Sequence, residues 1–251
     1  MTPGELAPIV LLIAVVAALY SSVGHGGASG YIAVLGLAGL ASRVIGSTAL
    51  TMNLLVAGVA LFAFARQGHF RWRSVWPFLV TSVPAAYFGG RIEVAEQTYF
   101  LVLAAVLLFA SVRLLMPKPE GASEPRRIPL AAALVIGLLI GVLSGVVGVG
   151  GGIFLSPILL LLGWAGAKET AAASALFILV NSGAGILGRV SEGVYQPEYL
   201  VPLLGAGLVG ALVGSTVGSA RLKPIAVQRT LAVVLIIAAG KMFLTYGPWS
   251  A

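Results

Sequence analysis

Polar positions divide the chain into apolar runs at 6–23, 31–41, 44–65, 75–90, 98–116, 130–148, 153–163, 170–188, 199–220 and 230–246. Most of these approach the roughly 17 to 25 residues that a helix needs to cross a bilayer. The runs at 31–41 and 153–163 do not: at about 1.5 Å per residue each covers about 17 Å, roughly half of a hydrocarbon core. Each short run follows a glycine motif, Val23-Gly24-His25-Gly26-Gly27 in one case and Val147-Gly148-Val149-Gly150-Gly151 in the other. Recurrence at about half the chain length, with a short helix after each break, is the signature of an internally duplicated membrane transporter whose binding site lies where the copies meet.

The expected fold is therefore an all-α integral membrane protein of two inverted-topology repeats. Each repeat would hold a glycine-broken or re-entrant helix pair and three spanning helices. The first occupies residues 1–116 and the second 130–251, joined by the Pro- and charge-rich stretch 117–129. Gly68 and Pro77 match Gly193 and Pro202 at nearly the same offset. Gly210, Gly214 and Gly218, spaced four apart, suit close helix packing instead of chemistry.

Composition agrees: 59% of the 251 residues are hydrophobic and 9% charged, against roughly 25% charged in a soluble globular chain. The net charge of +7 does not describe a nucleic-acid footprint, because its Lys and Arg residues lie singly or in small groups between runs. They read as topology signals. If each broken pair returns to its starting side, Arg66, Arg71, Arg73, Arg113, Lys118, Arg126, Arg127, Lys168, Arg221, Lys223 and Arg229 share one side. Only Arg43, Arg91, Arg189 and Lys241 fall on the other. The first side is then cytoplasmic, the linker with it, and both termini are external; a full crossing by each pair gives the same sidedness. The absence of cysteine excludes disulfides and thiolate chemistry.

A break inside a membrane segment frees backbone groups that must be buried in protein or line a cavity. The short helix beyond it begins with unpaired N–H groups and the positive end of its dipole, which suits an anion. Two such ends, with Gly24, Gly26, Gly27, Gly148, Gly150, Gly151 and Gly152, would hold an anion without any fully buried cation. Side chains able to complete the site are His25, Ser29, Thr51 with Asn53, Ser174, and Asn181 with Ser182. Arg43 is a candidate for attracting anions to the entrance. No metal or cofactor site is expected, and oligomeric state is left open.

These residues carry a family resemblance. Val23-Gly24-His25-Gly26-Gly27-Ala28-Ser29-Gly30, then Gly148-Val149-Gly150-Gly151-Gly152 followed by Pro157, and the Ala-rich 170–174 leading to Asn181-Ser182 resemble the sulfite exporter TauE/SafE family of membrane permeases. The resemblance implies a multi-pass protein of the bacterial inner membrane that carries sulfite, sulfonates or related small sulfur-containing anions. The residues by themselves reach only "small anion". Two other classes remain open at this stage. A passive anion channel could use the same glycine site. Gly27-Ala28-Ser29-Gly30 also reads as the Gly-x-Ser-Gly of rhomboid-type intramembrane proteases, with Ser29 as nucleophile and His25 as its only nearby base.

Overall fold

The computed structural model describes residues 3–22, 27–116, 126–218 and 224–247. Within them the chain is all-helical: α1 (Pro3–Ser22), α2 (Ala28–Leu37), α3 (Ser42–Arg66), α4 (Trp76–Arg91), α5 (Glu96–Leu115), α6 (Leu130–Val147), α7 (Gly152–Leu161), α8 (Ala167–Ser191), α9 (Leu200–Gly218) and α10 (Pro224–Tyr246), with one 3-10 turn at Trp72–Ser74. The stretches Ser42–Arg66, Glu96–Arg113, Leu130–Val147 and Lys168–Ser191 are long and apolar enough to cross a membrane. Large apolar side chains also cover the outside, with Val201 85%, Leu11 66% and Phe62 63% exposed. Water would not tolerate that surface over so many helices, whereas lipid tails match it.

The apolar runs become helices with ends shifted by a few residues. The largest consequence is at α8, which continues past Gly188 to Ser191. It stops there because Gly193 adopts φ 69°, and the Gly193 and Val194 N–H groups donate back to Val190 O and Arg189 O. This is the Schellman closure, and the left-handed residue it needs is the reason for glycine. The same closure ends α3 at Gly68 and His69, and it also ends α2 at Gly39 and Leu40 and α7 at Gly163 and Trp164. Left-handed Gly27 and Gly151 stand before α2 and α7. Backbone geometry in the first half thus recurs in the second.

Helices from the two halves alternate in space. The largest interfaces, α4 with α6, α1 with α9, α5 with α10, and α3 and α4 with α8, each pair one helix before residue 116 with one after 129. Small residues make the first two close. On α6, Gly137, Gly141 and Gly145 lie directly against the backbone of Phe78, Ser82 and Ala86, leaving no room for a methyl group; Gly210 of α9 meets Ala14 of α1 in the same way. Close backbone approach replaces the hydrophobic effect that lipid cannot supply. The ring of Phe100 on α5 stacks on Tyr246 of α10 with centroids 4.1 Å apart. Through the middle run α3 and α8, crossing antiparallel: Gly46 lies by Arg189, Leu50 by Gly185, and Asn53 by Ser182.

Candidate functional site

The second glycine break lies in the groove between α3 and α8. Helix α6 ends at Gly148 with φ 86°, and the chain turns through Gly150 at 76° and Gly151 at 81° before α7 begins. Phe154 and Leu155 donate their N–H groups to Gly151 O at 3.1 and 3.2 Å. The N–H groups ahead of them, from Gly151 to Ile153, have no helical carbonyl behind them. A methyl group on Gly148 would come within 2.8 Å of Gly46 backbone, and one on Gly150 within 2.8 Å of Asn53 Nδ2 and 2.9 Å of Ser182 Oγ. Both positions need glycine twice over, for the left-handed backbone and for the approach.

Asn53 and Ser182 join the two crossing helices at that point. Asn53 Nδ2 donates to Ser182 Oγ at 3.3 Å, and neither residue has any solvent exposure. Asn53 is about eleven residues into α3, about 17 Å along its axis, and so close to the middle of a helix long enough to span. Its Oδ1 is buried with no hydrogen-bond partner, as are Asn181 Oδ1 and Ser144 Oγ. Leaving such atoms unpaired costs about 1 to 3 kcal/mol each. Rotating the Asn53 amide by half a turn would aim its NH₂ donors at the free side, so the group can serve either an acceptor or a donor.

The remaining sequence candidates disperse. Gly24, His25 and Gly26 lie outside the described residues. Ser29 is bonded to Tyr20 across 2.7 Å between α1 and α2, beneath Gly27, whose neighbour is the Tyr31 hydroxyl. Thr51 turns away from Asn53, as a spacing of two requires on a helix, and binds Ser47 O and Tyr195 Oη, both at 2.8 Å. Ser174 meets Ser156 at 2.8 Å, tying α7 to α8, and Gly152 packs on Ile178 close to Ser174 O. Asn181 Nδ2 donates to Phe177 O in its own helix at 2.8 Å. Arg43 pairs with Glu93 at 2.8 Å with both side chains about half exposed. The described residues therefore gather Gly148, Gly150, Gly151, Gly152, Asn53 and Ser182 around the second break, and give Ser29, Thr51 and Arg43 separate partners.

One residue corrects the sequence reading. Arg189 was expected in an external loop, and the site was expected to lack a buried cation. Because α8 extends one turn beyond Gly188, Arg189 instead enters the protein with 6% exposure. Its Nη2 donates to Gly145 O at 3.1 Å and Val146 O at 2.9 Å. Tyr99 Oη donates to Val147 O at 3.0 Å, so α5 and α8 together cap the end of α6. Arg189 lies seven residues beyond Ser182, two turns along the same helix face and about 10 Å away. Gly193 as a helix-ending glycine was the available signal, since it places Arg189 within the last turn.

Beyond α8 the chain folds back over this end of α3. The N–H groups of Gln196 and Glu198 donate to Ser47 Oγ and Thr48 Oγ1 at 3.1 and 3.2 Å, beside the Thr51 to Tyr195 bond. Arg91 Nη2 and Glu192 Oε1, 2.6 Å apart, complete this cover. A buried polar crossing beside the start of a half-length helix is an arrangement found in membrane carriers.

Comparison with known proteins points the same way. No solved structure matches the chain. It is 34% identical over 242 residues, covering 95% of this chain and 98% of the relative, to the Sinorhizobium fredii protein named "Probable membrane transporter protein y4hK". The profile described as sulfite exporter TauE/SafE matches residues 9–242, and with that coverage the chain belongs to the TauE/SafE family of membrane transporters.

Proposed function

We propose that this protein is a secondary transporter that exports a small sulfur-containing anion, sulfite or an organosulfonate, across the bacterial inner membrane by alternating access. Its anion sits at the crossing of α3 and α8, against Gly150, Gly151 and Gly152, with Asn53 and Ser182 supplying side-chain contacts. Gly24, His25, Gly26 and Gly27 contribute from the first half. The observation that carries the reading is the Asn53 to Ser182 bond beside Gly150, where the start of a half-length helix meets the only described hydrogen bond between α3 and α8 side chains. The antiparallel crossing of these corresponding helices supports two inverted repeats, 1–116 and 130–251. Under that arrangement the linker is cytoplasmic and both termini are external.

Export fits the energetics. A membrane potential drives an anion out of a negative cytoplasm with roughly 2.3 kcal/mol per charge per 100 mV, so no coupled cation is required. Asn53 and Ser182 have no exposure to either side, which favours alternating access over a continuously open anion channel. Ser29 is engaged by Tyr20, which favours a transporter over a protease. The test is a thermal-shift series with sulfite, methanesulfonate, chloride and sulfate on purified protein, followed by counterflow of the stabilising anion in proteoliposomes. Selective stabilisation with saturable counterflow is expected. Linear, non-saturating flux would assign a channel, and no flux of any of these anions would remove the transport reading.

A further inference from the structure

Arg189 combines burial with an incomplete set of partners. Two of its contacts are carbonyls at the end of α6, its Nε is buried with no hydrogen-bond partner, and the carboxylates of Glu93, Glu169 and Glu192 pair with Arg43, Arg71 and Arg91 instead. A helix C-terminus carries about half a negative charge, so the cap offsets only about half of the guanidinium. Uncompensated charge at such burial is costly and in membrane proteins marks an ion path or a counter-ion. The position agrees. Gly46 faces the guanidinium, with Nη2 within 2.5 Å of where a methyl group would stand, and Gly148 faces Gly46 in turn. The loop from Gly148 to Gly150 therefore runs from Arg189 at one end to Asn53 and Ser182 at the other.

Resting on the exporter reading above, we infer that Arg189 is an anion-binding residue of the transport path, and that it selects oxyanions. Its planar fork can exchange the Gly145 and Val146 carbonyls for two oxygens of a sulfite or sulfonate group as the anion moves from Asn53 and Ser182 towards the end of α8. A guanidinium matches two oxygens at once, whereas an ammonium acts as a point charge and a halide offers no pair of oxygens. Release of the α6 carbonyls on anion binding also ties substrate position to the packing of α6 against α8.

The test measures sulfite and chloride affinities by thermal shift in detergent for the wild type, Arg189→Lys and Arg189→Gln, with sulfite counterflow as a second readout. The expected result is sulfite affinity about tenfold weaker in Arg189→Lys with chloride affinity unchanged, and no sulfite-induced stabilisation in Arg189→Gln. If Arg189 only caps α6, both variants lose stability equally with and without anion while sulfite affinity stays at the wild-type value, which would overturn the inference. Should Arg189→Gln not fold, the ratio of sulfite to chloride affinity in Arg189→Lys decides: a wild-type ratio refutes the role. A wild type unmoved by sulfite and methanesulfonate would instead overturn the substrate reading itself, and this inference with it.

Discussion

Substituting Gly150 by Ala asks most of the site for one added methyl group. Two effects separate. Gly150 has φ 76°, and a left-handed alanine costs roughly 1 to 2 kcal/mol. The methyl group would also stand 2.8 to 2.9 Å from Asn53 Nδ2, Ile178 Cγ2 and Ser182 Oγ, forcing the Asn53 to Ser182 bond to open, which costs about another 1 kcal/mol. The total is about 2 to 3 kcal/mol, and at roughly 2 to 4 °C per kcal/mol for a chain of this size the melting temperature should fall by about 4 to 12 °C. Gly39 isolates the first effect, having φ 76° and nothing within 4 Å of an added methyl group. Gly39→Ala should therefore lose only the backbone share, about 2 to 8 °C, and keep its anion response. Gly205 has open space around it within α9, so Gly205→Ala should match or slightly exceed the wild type. With anion at a hundred times its dissociation constant, the wild type gains about 2.7 kcal/mol. That gain should vanish in Gly150→Ala and persist in the other two. An undiminished gain in Gly150→Ala, at the same half-saturating concentration, would refute the placement of the anion at this break.

Three further outcomes are expected. Single cysteines placed in this cysteine-free chain near Arg71 or Arg126 should be protected from an impermeant thiol reagent on intact cells, whereas one near Ala251 should react; the reverse pattern would invert the topology. Protonated His25 would strengthen an anion site, so His25→Asn should flatten the pH dependence of transport in proteoliposomes, and an unchanged profile would leave His25 no part in binding. Gly145→Leu should prevent normal folding or destabilise the protein by about 3 kcal/mol or more, since its side chain has only the backbone of Ala86, Gly89 and Gly90 to enter and overpacking alone costs about 1 to 3 kcal/mol; melting near the wild-type temperature would contradict the close packing of α4 and α6.

Apolar runs translate into helices with little ambiguity, because a membrane requires every backbone group to be satisfied within its own segment. The two ten-residue helices and the glycine breaks before them were legible from run length and spacing. What escaped was set by packing across the halves. Arg189 looked like a loop charge because the run beside it ended at Gly188, and only the turn closed by Gly193 carries it inside. Asn53 and Ser182 were each visible as costly polar groups at membrane depth, but no local pattern says that they meet. Ser29 and Thr51 were equally visible, and the tyrosines that engage them, Tyr20 and Tyr195, are separated from them by a helix break in one case and by most of the chain in the other. The glycine stripe on α6, four residues apart from Gly137 to Gly145, was readable in principle by the rule applied to Gly210.

The alternation of helices from the two halves has a consequence for how the protein is made. A nascent chain halted at residue 116 would have α1 to α5 in the membrane, yet the surfaces that α6, α8, α9 and α10 later cover would face lipid, among them the backbone of Phe78 and Ala86 and the amide of Asn53. Among those surfaces the face of α4 would be the first to be covered, because its largest partner, α6, is the next helix in the chain. Supplying the stretches before and after residue 120 as two polypeptides should therefore penalise assembly in the cell more than stability once assembled.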